Sequence, residues 1–225
     1  MRIDVRGLHK YFDTSTNKLR VLENVDLRVE KGEFIAIMGP SGSGKSTLLF
    51  LLGCLDWPTF GHITLDETDV TQEAEGVRER IRLHHIGFIF QNYNLIPTLD
   101  AFENVRLPMQ LAGLGPAERD SRALALLRLV ELEKKAYEPV NLLSGGQQQR
   151  IAIARSLANL PGLLLADEPT GNLDVKSSKE VMDVIRTVNE LQEITTVVVT
   201  HDPKVAAFAQ RVYYLEDGRL RATVV

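Results

Sequence analysis

Phe34-Ile35-Ala36-Ile37-Met38-Gly39-Pro40-Ser41-Gly42-Ser43-Gly44-Lys45-Ser46-Thr47 joins an unbroken apolar run to a glycine-rich turn and then to an apolar segment over residues 45–53. Five apolar residues in succession, set off by Lys31-Gly32, read as a strand buried on both faces. The segment after the turn reads as a helix. Strand, turn and helix in this order, with the spacing GxxxxGK[ST] inside the turn, form a phosphate cradle. Glycines let backbone N–H groups come close to an anion, and the helix adds the positive end of its dipole. Lys45 is placed to reach the β and γ phosphates, and the Ser46 hydroxyl to complete a Mg²⁺ shell. Gly39, Pro40, Ser41, Gly42, Ser43, Gly44, Lys45, Ser46 and Thr47 are therefore the first candidate nucleotide contacts.

Outward from the cradle, the N-terminal stretch over 2–38 is β-rich, and Val25-Asp26-Leu27-Arg28-Val29 alternates as a half-buried strand does. Beyond it, Ala101 to Leu111 and Glu118 to Leu132 have helical apolar spacing, broken by Gly113 and Gly115. After 160 the pattern becomes strand (163–166), helix (177–191), strand (196–200), which predicts parallel strands joined by a helical crossover. The expected fold class is α/β, with a helical insertion over about 95–160 between core segments 1–94 and 161–225.

The chain has 225 residues, 44% hydrophobic and 25% charged, with a net charge of −4. These values fit one large α/β domain or two small ones and argue against a nucleic-acid platform. Cys54 is the only cysteine, which excludes an intrachain disulfide and suits a reducing compartment. No apolar run approaches the roughly 20 residues of a membrane helix, so any membrane work requires another chain. A guanine-selecting Asn-Lys-x-Asp box is missing: Asn17-Lys18-Leu19-Arg20 lacks the aspartate and precedes the cradle. The cradle alone leaves kinase, GTPase, motor and transporter ATPase open.

Leu143-Ser144-Gly145-Gly146-Gln147, continued by Gln148-Gln149-Arg150-Ile151-Ala152-Ile153-Ala154-Arg155, resembles the signature of the ATP-binding cassette superfamily. Ser144 suits a helix N-cap, and the two glycines leave N–H groups open to an anion. The resemblance extends over about residues 2–220. Leu163-Leu164-Leu165-Ala166-Asp167-Glu168 looks like its Walker B strand, with Asp167 supporting Mg²⁺ and Glu168 acting as general base. Adjacent strand residues point opposite ways, so the two acids can have separate tasks. Gln91 matches the glutamine that meets Mg²⁺ or water, Asp174 the D-loop, and His201 the histidine at the γ-phosphate. Phe12 is the expected adenine-stacking residue, with Tyr11 in reserve.

What the resemblance implies is a P-loop NTPase core with a mixed, mainly parallel sheet, an N-terminal antiparallel β subdomain and a helical signature subdomain. It further implies an ATPase using ATP and Mg²⁺. Two copies would close on two ATP molecules, each held between the P-loop of one copy and Ser144, Gly145, Gly146 and Gln147 of the other. The subunit would be cytoplasmic, peripheral on the inner face of the cell membrane, and coupled to integral membrane permease-type subunits. Nucleic acid is not expected, although a cassette acting on nucleic acid or ribosomes is the alternative. Gly53-Cys54-Leu55-Asp56, Asn94-Leu95-Ile96-Pro97 and Gly171-Asn172-Leu173-Asp174 are similar to the macrolide-export and lipoprotein-release group. Polar amino-acid importers typically carry serine-alanine in place of Gly171-Asn172.

Overall fold

A computed structural model describes residues 1–13 and 18–223, so Asn17 of the box comparison lies outside the described residues. In chain order the strands are β1 (Ile3–Asp13), β2 (Lys18–Val29), β3 (Phe34–Met38), β4 (Phe60–Leu65), β5 (Thr68–Asp69), β6 (Ile86–Phe90), β7 (Leu163–Asp167), β8 (Thr195–Thr200), β9 (Arg211–Glu216) and β10 (Arg219–Thr223). The α-helices are α1 (Lys45–Leu52), α2 (Glu75–His85), α3 (Ala101–Leu111), α4 (Pro116–Leu129), α5 (Gly145–Ser156), α6 (Val175–Gln192) and α7 (Pro203–Ala206).

Among the described residues these strands form two sheets. The smaller is antiparallel, in the order β2-β1-β4-β5. The larger runs β10-β9-β3-β8-β7-β6, parallel from β9 to β6, with β10 antiparallel at its edge. Its central strands are buried along almost their whole length, β8 with threonines at both ends of its valine run, because both faces are covered. Leu163, Leu165, Val197, Val199, Ile35 and Ile37 face one core, shared with α1 and the antiparallel sheet. Leu164, Ala166, Val198 and Phe34 face the other, shared with α6 and the helical layer α3–α5. The six-stranded sheet is thus the middle layer.

The helical layer lies between β6 and β7 in the chain. Asp100 and Glu103 close a capping box at the start of α3, and Ser144 and Gln147 do the same for α5. Pro116 opens α4, where its missing N–H costs nothing. Buried Asn104 accepts from the Ile96 N–H and donates to the carbonyl oxygens of Ile96, Leu99 and Asp100, fastening the segment after Gln91 onto α3.

Helix α2 falls inside the core segment 1–94, in a stretch for which sequence reading named no helix. Of its eleven residues only Arg78 is buried, and Val77, Ile81 and Leu83 give no continuous helical stripe. It is held instead by Arg78, whose guanidinium lies 3.7 Å from the centroid of the Trp57 ring and donates to the Val70 carbonyl.

Helix α5 packs tightly on β6. A Cβ added at Gly87 would lie 2.4 Å from the Ser156 carbonyl oxygen. Gly87→Ala is therefore expected to cost about 1–3 kcal/mol, the usual penalty of overpacking, read as a lower urea midpoint with an unchanged slope.

Candidate functional site

The site forms at the C-terminal ends of β3, β7 and β8, the edge where open α/β sheets place ligands. Gly39 leaves β3 at φ 157°, and a Cβ there would lie 2.1 Å from the Leu215 carbonyl oxygen. Gly44, at φ 101°, caps α1, and its Cβ would lie 2.9 Å from the Val21 carbonyl oxygen. Neither position admits a side chain.

No side chain caps α1, so its first-turn N–H groups remain available to an anion. The Ser43 hydroxyl is buried and makes no hydrogen bond among the described residues. The Lys45 ammonium donates to the carbonyl oxygens of Gly39 and Pro40, 2.9 Å from each. An orphaned hydroxyl, a lysine and an uncapped helix end together fit a triphosphate.

Ser46 Oγ donates to Asp167 Oδ1 at 3.0 Å. Burial raises the Asp167 carboxyl above the ordinary range; Glu168 adds to this, while Ser46 and Lys45 oppose it. A partly desolvated carboxylate, a hydroxyl and the nearby Gln91 amide are hard oxygen donors, and they suit Mg²⁺.

Glu168 departs from the alternation expected of a strand. It stands just past β7 at φ 44°, in the left-handed region. This turn, rather than strand pleating, separates the two acids. Glu168 Oε2 accepts from Thr200 Oγ1 at 3.0 Å, and Oε1 lies 2.9 Å from His201 Nδ1. Parallel pairing sets Asp167 opposite Val199, so the residues after β7 and β8 meet. His201 precedes α7, where Asp202 caps the helix and Pro203 opens it.

A cleft of about 680 Å³ collects these groups: Ser41, Gly42, Gly44, Lys45, Ser46, Thr47, Gln91, Asp167, Glu168 and His201, with Val21 from β2. Val21 had no sequence signal. Other candidates lie elsewhere. None of Ser144–Gln147 lines the cleft; Gly145 faces the Tyr93 hydroxyl, and Gly146 faces Ser177. Asp174 caps α6, accepting from the Ser177 N–H and hydroxyl, and these hydrogen bonds hold its carboxyl below the ordinary range.

Tyr11 and Phe12 also lie outside the cleft lining. The Tyr11 hydroxyl meets His9 Nδ1 at 3.0 Å, and its ring packs edge-on against Phe60. Phe12 is 40% exposed, with the Lys10 ammonium 4.7 Å from its ring centroid. Its cross-strand partner Leu19 is two residues from cleft-lining Val21.

The ABC transporter family model matches residues 22–171. This chain belongs to that family. It is an ATP-binding cassette ATPase. An uncharacterised ABC transporter ATP-binding protein of Methanocaldococcus jannaschii, MJ0796, is 46% identical over 222 residues, covering 97% of this chain and 94% of that one. A macrolide export ATP-binding/permease protein of Syntrophobacter fumaroxidans is 45% identical over 218 residues, which is 96% of this chain but 30% of that longer protein. A dimeric structure of a post-hydrolysis state of the cassette MJ0796, bound to ADP and Pi, matches with a TM-score of 0.91 at 44% identity, covering 98% of this chain and 97% of that one.

In this ABC cassette the signature helix is also wired to the segment carrying Gln91, which sequence reading missed. Arg155 of α5 donates to the carbonyl oxygens of Tyr93 and Asn94, at 2.9 and 2.6 Å. Those two residues hold consecutive left-handed conformations, φ 61° and 49°, a strained turn that the guanidinium secures.

The Asp167 environment carries a testable sign. Its folded-state pKa is raised, so the folded chain binds more protons than the unfolded one as pH rises through that window. Ionised Asp167 therefore lowers stability above the window. Asp167→Asn removes the charge and keeps an acceptor for Ser46. The nucleotide-free cassette is expected to melt at a higher temperature near neutral pH, with the gain shrinking as pH falls through the carboxyl's pKa. Thermal melts across pH check this.

Proposed function

We propose that two copies of this cassette close on two MgATP molecules and use binding and hydrolysis to drive a separate integral membrane permease-type subunit. One observation carries the reading: Lys45, Ser46, Gln91, Asp167, Glu168 and His201 share or line one cleft, whereas the start of α5, where the Ser144–Gln147 capping box leaves the Gly145 and Gly146 N–H groups unused among the described residues, stands outside it. A partner copy's Ser144–Gln147 would supply that second grip on each triphosphate. The dimeric ADP- and Pi-bound relative supports this arrangement.

Within each site, the loop from Gly39 to Ser43 wraps the phosphates with N–H groups, and Lys45 turns from its own loop carbonyls to the β and γ oxygens. Ser46, Asp167 and Gln91 would hold Mg²⁺. When bound, Mg²⁺ neutralises charge on the β and γ phosphate oxygens. Glu168, anchored by Thr200 and His201, takes the proton of the attacking water. His201 presents its other ring nitrogen toward the γ-phosphate. Asp174 belongs to the dimer-facing turn, and Phe12 stacks on adenine, because Tyr11 is engaged with His9 and Phe60.

The helices of about 95–160 form the subdomain that moves on closure, and the segment beginning at Gln91 passes the motion on. Among the described residues no helix is long and apolar enough to cross a membrane. The place of work proposed is the inner face of the cell membrane, through the permease-type partner. Phosphate release by the purified chain and co-purification with a membrane subunit encoded beside it test the proposal. A chain that binds ATP without turnover, or that associates with no membrane protein, would overturn it.

A further inference from the structure

Asn172 lies between the general base and Asp174, 81 positions from Gln91 in sequence, yet the two side chains interlock. The Asn172 Nδ2 group donates to the Gln91 backbone carbonyl at 3.1 Å and to Asn92 Oδ1 at 3.0 Å. A backbone carbonyl only accepts, so this contact settles which end of the Asn172 amide is nitrogen. Asn172 Oδ1 is then the acceptor turned to Gln91, and Gln91 Nε2 donates to it at 3.2 Å. The Gln91 amide is left with Oε1 as its free end, unbonded among the described residues.

Gly171 completes the arrangement. A Cβ there would lie 2.7 Å from Gln91 Nε2 and 3.0 Å from its Cδ. The close neighbours are all side-chain atoms of Gln91, so a larger residue would displace the glutamine amide rather than the backbone.

We infer that Asn172 is a positioning residue: it fixes the orientation of the Gln91 amide so that the oxygen, not the nitrogen, is offered to the cation beside Ser46 and Asp167, and Gly171 provides the space for that orientation. An amide free to flip must be oriented at the expense of metal affinity, and an outer partner that removes this freedom acts as metal-site supports generally do. The inference rests on the metal-side role proposed above for Gln91.

The test is the affinity of the full chain for a non-hydrolysable ATP analogue, measured calorimetrically in Mg²⁺ and again in EDTA. The ratio of the two affinities isolates the metal-dependent part. Asn172→Ala is expected to lower that ratio about 10-fold, the lower end of what second-layer partners are worth, with affinity in EDTA unchanged. Gly171→Ala should lower it in the same way, and Gln91→Ala should lower it at least as far. Adding Asn172→Ala to Gln91→Ala should change nothing further. If Gln91→Ala lowers the ratio and Asn172→Ala does not, the positioning role is wrong while the Gln91 reading stands. If Gln91→Ala leaves the ratio unchanged, the metal role of Gln91 fails and the inference fails with it. Equal losses in Mg²⁺ and EDTA for Asn172→Ala would mark it as a structural staple and overturn the proposal.

Discussion

Glu168→Gln is expected to lower kcat by about 10²–10⁴, the usual worth of a positioned general base, while leaving ATP affinity intact. Glutamine is nearly isosteric with glutamate, so its amide can still accept from Thr200 Oγ1, which is 3.0 Å from Glu168 Oε2. What it cannot do is take a proton from water. Binding relies on the P-loop, which the substitution does not touch. Turnover is therefore lost and the closed state persists, so the variant should sediment as a dimer in MgATP and as a smaller species without nucleotide. Wild-type phosphate release by Glu168→Gln would remove this residue from the chemistry. A variant that binds MgATP but never dimerises would break the two-copy site.

Lys45→Ala acts one step earlier and is expected to weaken ATP binding by roughly 10–150-fold. That range corresponds to the 1.5–3 kcal/mol of a hydrogen bond to a charged group. The lysine side chain is buried in the loop, donating to the carbonyl oxygens of Gly39 and Pro40, so its removal also frees the loop. A thermal melt separates the two effects: a loss of affinity with little change in Tm belongs to the phosphate contact. Unchanged nucleotide affinity would contradict the role given to Lys45.

The two substitutions also separate binding from chemistry. Lys45→Ala should remove the nucleotide-dependent dimer at MgATP concentrations that saturate the unaltered chain, because the triphosphate that joins the copies is held more weakly. Glu168→Gln should trap it. A common phenotype for both would mean that Glu168 acts in binding, contrary to the base role proposed from its anchoring by Thr200 and His201.

Much of the site was legible because its chemistry is local. The cradle, the signature run and the Asp167-Glu168 pair are each contiguous, and each demands residue types that spacing alone displays. Strands buried on both faces announced themselves as unbroken apolar runs at 34–38, 163–166 and 197–199. Helix α2 did not, because it buries an arginine against Trp57 rather than an apolar stripe. The left-handed turn at Glu168 also escaped: nothing in the pair Asp167-Glu168 tells whether the second acid continues the pleat.

The sequence by itself therefore singled out the groups proposed to meet the phosphates, because a P-loop carries its geometry within eight residues. It also determined the fold class, through the alternation of buried strands and helices. Only the tertiary structure decided how distant loops are joined: Gln91 to Asn172, Arg155 to Tyr93 and Asn94, His201 to Glu168. The reason is physical. Those contacts depend on which strands become neighbours and on side chains meeting across sequence separations of 33 to 81 positions, whereas a motif reports only what adjacent residues can do together.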